Sequence, residues 1–153
     1  MLTHKAKYAL KAILVLARKA DEGPVMIGDL AKAASVPKKF LELILLELRN
    51  KGVLQSRRGK LGGYMLNVSP RKITVGDIVR MVDGPMAPVQ CLSKTAYRRC
   101  SDCNEEGTCG VRLALKEAYE ASLMIMEKTT VDDILNMMEA SQGVENDSTM
   151  FYI

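Results

Sequence analysis

Two short amphipathic stretches with almost nothing between them constrain this chain more than any other feature. "IGDLAKAA" places Ile27, Leu30, Ala31 and Ala34 at spacings of three and four, and "KKFLELILLELRN" does the same with Leu41, Ile44, Leu45 and Leu48. That rhythm draws one apolar stripe along an α-helix. Only Ser35 and Val36 separate the two before Pro37, which is read as opening the second helix, where its missing N–H is no loss. The pattern predicts a helix, a tight turn and a longer helix.

The flanks extend it. Ahead lies "KAKYALKAILVLARKA", with Tyr8, Ala9, Ala12, Ile13, Leu16 and Ala17 on one predicted helical face, closing near the turn residues Asp21 to Pro24. The short helix after it starts weakly, because Met26 stands where a capping Ser or Thr is expected and Gly28 falls in the first turn. The third helix is predicted to stop at Gly52 in a left-handed cap. "VLQSRRGKLGGYMLNV" follows, two β-type runs around a glycine-rich basic tip. The fold class is therefore mainly α with a small β-hairpin wing, a winged helix-turn-helix whose third helix enters the major groove of DNA.

Charge supports the same reading. The net charge is only +4, but between Lys38 and Lys60 seven basic residues face two acidic ones, and the rest of the chain is close to neutral. A local basic excess is the footprint of a nucleic-acid face. Lys38 and Lys39 begin the third helix, and Arg57, Arg58 and Lys60 at the hairpin tip reach phosphates or the adjacent minor groove. Glu42 is placed to accept a hydrogen bond from a cytosine amino group. A solvated basic surface, or a protein-interaction module of the same architecture, stays open as an alternative.

"TVGDIVRMVDG" reads as a fourth helix capped by Thr74 with Asp77 three residues on. Pro85 and Pro88 then break regular structure, and a cysteine-bearing loop runs to Gly110. A long helix to about Lys128 carries Val111, Leu115, Ala118, Ser122 and Ile125 at four- and three-residue steps, widened by Tyr119, Leu123 and Met126. So broad a stripe predicts packing on a second copy. Thr130 with Asp133 caps a last helix, "VDDILNMMEA", before a polar tail ending in "MFYI". The expected division is residues 1–84 for the DNA-binding unit, 85–110 for the cysteine loop, 111–140 for the dimerisation helix and final helix, and 141–153 for a flexible tail.

With 153 residues and 48% hydrophobic content, the chain fills a core without covalent staples. No stretch reaches the length of a membrane span. The first helix has an apolar run too short and too interrupted, at Lys11, for a secretory signal, so a cytoplasmic, reducing location is expected. The lone His4 has no serine–aspartate or paired-acid constellation around it, and no catalysis is expected.

All four cysteines, Cys91, Cys100, Cys103 and Cys109, fall in "CLSKTAYRRCSDCNEEGTC". In a reducing compartment such a group is a metal site or a reactive thiol more often than a bridge. An iron–sulfur cluster takes soft thiolates at irregular spacings. Zinc takes four thiolates too, commonly from two Cys-x-x-Cys arms, and only Cys100 to Cys103 forms such an arm. A thiol–disulfide pair on "CSDC" lacks the βαβ unit that usually carries one. Arg98 and Arg99 just before Cys100 are expected to favour thiolates, and the helix start beside Cys109 to do likewise.

Taken together, "KAKYALKAILVLA", "LAKAASVPKKFLELILLELRNKGVLQSRRGKLGGYML", "ITVGDIVRMVDGP" and the cysteine loop followed by "TTVDDI" resemble the Rrf-two type family of bacterial winged-helix regulators, over most of residues 1 to 140. The resemblance implies a homodimeric transcription regulator, a repressor in some members, on double-stranded DNA with a partly palindromic operator. It implies an iron–sulfur cluster in the loop as sensor of iron–sulfur status, redox state or nitric oxide. It assigns Cys91, Cys103 and Cys109 as ligands, the last two separated by five residues as in the family. Some relatives take a fourth ligand from an acid before the first-helix tyrosine, but Lys7 precedes Tyr8 here. Cys100 is thus the leading candidate for the fourth ligand, with His4 as the alternative.

Overall fold

The computed structural model describes residues 2–148, with side chains described to residue 142. Its helices are α1 (His4–Arg18), α2 (Ile27–Ala34), α3 (Lys38–Asn50), α4 (Val75–Asp83), α5 (Gly110–Lys128) and α6 (Val131–Ser148), with strands β1 (Leu54–Arg57) and β2 (Gly63–Leu66) between α3 and α4. Single 3-10 turns occur at Ala20–Glu22, Pro70–Lys72 and Gln90–Leu92.

The α1 helix is the centre of the fold, packing against α2, α3, α4, α6 and β2. Its buried face is Ala6, Ala9, Ala12, Ile13, Leu16 and Ala17. Alanines dominate that face, so neighbouring backbones approach closely on several sides. Tyr8, expected on this stripe, is only half-buried, and Ala6 takes its place. Leu41, Ile44, Leu45 and Leu48 of α3 are all buried, as the spacing predicts, and each such side chain contributes about 1.5–3 kcal/mol by leaving water. Ile78, Val79 and Val82 of α4 and Val131 of α6 complete the core.

The turn between α2 and α3 is closed by two reversed hydrogen bonds, Ser35 N to Lys32 O at 3.1 Å and Val36 N to Ala31 O at 3.0 Å. This is a Schellman end, with Ser35 in the left-handed position at φ 50°, ψ 53°. The same motif ends α3, where Gly52 N bonds Arg49 O at 3.0 Å and Val53 N bonds Leu48 O at 3.1 Å. Gly52 has φ 79°, so the predicted left-handed glycine is in place. Pro37 occupies the N-cap of α3, not the first helical position. Its ring fixes the chain direction just before the helix begins.

β1 and β2 pair antiparallel from Leu54 opposite Leu66 to Arg57 opposite Gly63. Val25 adds a short third rung through mutual bonds with Tyr64, both 2.9 Å. A Cβ on Gly63 would lie 2.3 Å from the Val25 carbonyl oxygen, so only glycine admits this rung. Thr74 caps α4 with the complete predicted box: the Asp77 N–H donates to the Thr74 hydroxyl oxygen at 3.1 Å and the Thr74 N–H to the Asp77 carboxylate at 3.1 Å. Thr130 and Asp133 repeat it at the start of α6.

α6 does not belong to a separate C-terminal unit, because it returns to α1. Arg71 Nε also lies 3.3 Å from Asp132 Oδ2. The helix runs on through Ser148, so residues 141–148 are helical where the sequence reading expects a flexible tail. That expectation rested on polarity, which by itself does not end a helix: Gln142 and Glu145 are good helix formers, although Gly143 is not. The "MFYI" end lies outside the described residues. Among the described residues no helix is long and apolar enough to cross a membrane.

Candidate functional site

The first part of the site is the face built by α3 and the wing. Lys38, Lys39 and Glu42 lie in the first turns of α3, and every one is exposed. Arg57 closes β1, while Arg58 and Lys60 stand in the loop between the strands, all exposed. None of these side chains enters an ion pair among the described residues, so their charges are available to a ligand. The wing tip also carries Leu61, 87% exposed between Lys60 and Gly62, which the sequence reading did not single out. Nor did it single out Phe40 and Leu43, which project from α3 and with His4, Lys5, Tyr8 and Ile44 line a groove of about 530 Å³. His4 stacks obliquely on Tyr8, and Tyr8 on Phe40, with ring centroids 6.0 and 6.2 Å apart.

The second part is the loop between α4 and α5. Cys91, Cys100, Cys103 and Cys109 all line one cavity of about 170 Å³, together with Val89, Asp102, Glu106, Val111 and Arg112. Sequence spacing cannot show that convergence, and it joins residues spread over the whole loop. Cys91 is 7% exposed, held by the turn Gln90–Leu92, whereas Cys100 is open to solvent. Cys109 is the N-cap of α5 and makes no side-chain capping bond. His4 is not among the lining residues.

The charges around the thiols differ from the sequence expectation. Arg99 donates to the carbonyls of Cys103 and Asn104, at 3.2 and 2.9 Å, and does not line the cavity. The Cys100 thiol is pushed up from its ordinary pKa, first by desolvation and then by its neighbours Cys91, Asp102 and Cys103. The cation at the thiols is Arg112 of α5, which donates to the Cys91 carbonyl and stands 3.7 Å from Glu106. No local signal marks Arg112, because its partner Cys91 is 21 positions away.

Among the described residues, no three His, Cys, Asp or Glu side chains are already drawn together around one metal position. The donor chemistry suits a soft metal or an iron–sulfur cluster, both of which take thiolates.

A basic face on a helix-turn-helix and its wing, followed through α4 by a loop whose cysteines line one cavity, marks a DNA-binding transcription regulator. The profile of the Rrf2 family, described as an iron-dependent transcriptional regulator, matches residues 2–137, and the chain belongs to that family. An rrf2-like HTH-type transcriptional regulator of Rhodobacter capsulatus is 43% identical over 138 residues, 88% of this chain and 92% of that one. CymR of Bacillus subtilis, an HTH-type transcriptional regulator, is 32% identical over 152 residues, 99% of each chain. The solved structure of CymR, the global cysteine regulator of B. subtilis, superposes with a TM-score of 0.74 over 90% of this chain and 97% of that one. The IscR structure from T. potens gives 0.73 at 25% identity, over 93% and 90% of the two chains. The relatives are transcription regulators and not enzymes, as the missing catalytic constellation led us to expect.

Proposed function

We propose that this protein is a homodimeric regulator whose hold on a partly palindromic operator is set by an iron–sulfur cluster at Cys91, Cys100, Cys103 and Cys109. The observation that carries the reading is the single cavity lined by all four thiols at the root of α5. When bound, a cluster supplies a centre whose oxidation state or loss reports iron, redox or nitric-oxide conditions. The family's description as iron-dependent supports it.

The chain itself provides the link from loop to DNA. The loop starts at the end of α4, which is hydrogen-bonded to α1 through Thr3 and Asp83 at 2.6 Å. It ends at α5, whose Val111, Ala118, Ser122 and Ile125, on one face of the helix, remain exposed. Leu123 alone on α5 is buried. An uncovered stripe of this kind is the surface a second copy of α5 would bury. A loop drawn in around its thiols changes the angle between the two reading heads, and with it the fit to two half-sites. The contacts we assign are Lys38, Lys39, Arg57, Arg58 and Lys60 on phosphates, with Glu42 on a base edge.

A second reading is a thiol-based or zinc-dependent regulator without a cluster. It is favoured by the similarity to the global cysteine regulator. Strictly anaerobic purification, with the visible spectrum, iron and sulfide content and solution mass, separates the two. A coloured dimer with iron and sulfide is expected; colourless protein holding zinc or nothing decides for the second reading.

A further inference from the structure

The Arg112 guanidinium sits where the two ends of the cysteine loop meet. It leaves the first turn of α5, three residues after Cys109, and reaches back to the start of the loop. There Nη1 donates to the Cys91 carbonyl. The same nitrogen is 3.7 Å from Glu106 Oε2, and Glu106 accepts a hydrogen bond from the Tyr97 hydroxyl. One side chain thus joins the first cysteine, the helix after the last cysteine, and the acidic segment between them.

The lining of the cavity makes the charge balance one-sided. Beside the four thiols stand Asp102 and Glu106, and Arg112 is the single cation among the residues described as lining it. Four thiolates with two carboxylates repel one another in a partly enclosed space. A planar, permanently charged fork with several donors both offsets that charge and fixes the direction of a neighbour. Lysine supplies the charge without the fork, and glutamine supplies donors without the charge.

We propose that Arg112 is the positioning residue of the four-thiol centre, holding Cys91 against the start of α5 and supplying the positive charge that a thiolate-bound cluster needs beside it. This rests on the cluster reading above. Partners outside the ligand set tune metal affinity by about 10- to 100-fold. Hydrogen bonds and charge near the sulfurs set how readily a cluster takes up one electron. A nearby cation favours the form carrying that extra electron.

The test compares full-length wild type with R112Q and R112K, all purified anaerobically, by iron and sulfide content, by the rate at which a chelator removes iron, and by reductive titration with dithionite. R112Q is expected to lose iron about tenfold faster or more and to be reduced at a more negative potential. R112K is expected to lose iron faster than wild type while its potential stays near the wild-type value. An R112Q protein with wild-type potential and wild-type iron loss overturns the proposal while leaving the cluster reading intact. Wild-type protein without iron and sulfide overturns the cluster reading itself, and this proposal with it. If circular dichroism shows R112Q unfolded, R112K decides: faster iron loss supports the proposal, and an unchanged rate overturns it.

Discussion

Lys5 Nζ lies 2.6 Å from Glu47 Oε2 and 2.8 Å from the Val82 carbonyl oxygen, so one ammonium from α1 ties α3 to the end of α4. Lys51 mirrors it, donating to the Met81 carbonyl at 2.6 Å and facing Glu47 Oε1 at 4.0 Å. The last carbonyls of a helix lack partners within it, and cations there are favourable. The position from which the cysteine loop departs is therefore fixed to α3 by two lysines sharing one carboxylate. Glu47 and both lysines are partly solvent-exposed, which keeps the energies small. Glu47→Gln is expected to lower stability by about 0.5 kcal/mol, measured by urea unfolding, and Lys51→Met by somewhat more because a carbonyl also loses its donor. No loss in either variant would mean these contacts do not persist in solution.

Ser35 is the only non-glycine residue with positive φ among the described residues. Placing an L side chain there costs about 1 kcal/mol. Ser35→Gly is therefore expected to raise stability by up to about 1 kcal/mol, visible as a higher melting temperature, while Ser35→Ala gives no such gain. A lower melting temperature for the glycine variant would count against strain at this turn.

Gly63→Ala is expected to act in the opposite direction. Its Cβ would enter the Val25 backbone, so the rung between Val25 and Tyr64 must open. A loss on the order of 2 kcal/mol follows from displaced backbone and unpaired groups, checked by urea unfolding.

Arg58→Ala tests the assigned DNA face. If Arg58 meets one phosphate, the slope of log affinity against log salt should fall by about 0.9, measured by fluorescence anisotropy on operator DNA across several salt concentrations. An unchanged slope would remove Arg58 from the contacts.

The two capping boxes predict how stability responds to acid. Partial burial would raise the Asp77 carboxyl, but hydrogen bonds from Thr74 and the Arg80 guanidinium outweigh it and hold it below the usual range. The Thr74 counterpart on α6, Thr130, lowers Asp133 through its hydroxyl and backbone N–H. A depressed carboxyl stabilises the fold above its unfolded pKa of about 3.9, and that contribution disappears as pH falls through the lower folded value. Asp77→Asn should therefore flatten the acid limb of a stability-versus-pH curve, whereas the limb near neutrality keeps its shape.

The sequence by itself determined the order of the elements, the stripe of α3, the glycine that ends it, and the boxes that start α4 and α6. Each depends on residues within about one or two helical turns, where periodicity and capping bonds act directly. Gathering the cysteines into one loop was legible for the same reason, as was the basic excess on the wing. Tertiary structure alone decided that the four thiols share one cavity, that Arg112 and not Arg98 or Arg99 is the cation lining it, that Ala6 displaces Tyr8 from the core, and that Lys5 reaches Glu47 and the end of α4. Those outcomes depend on which distant backbones come together, and short-range spacing carries no information about the energy of such contacts.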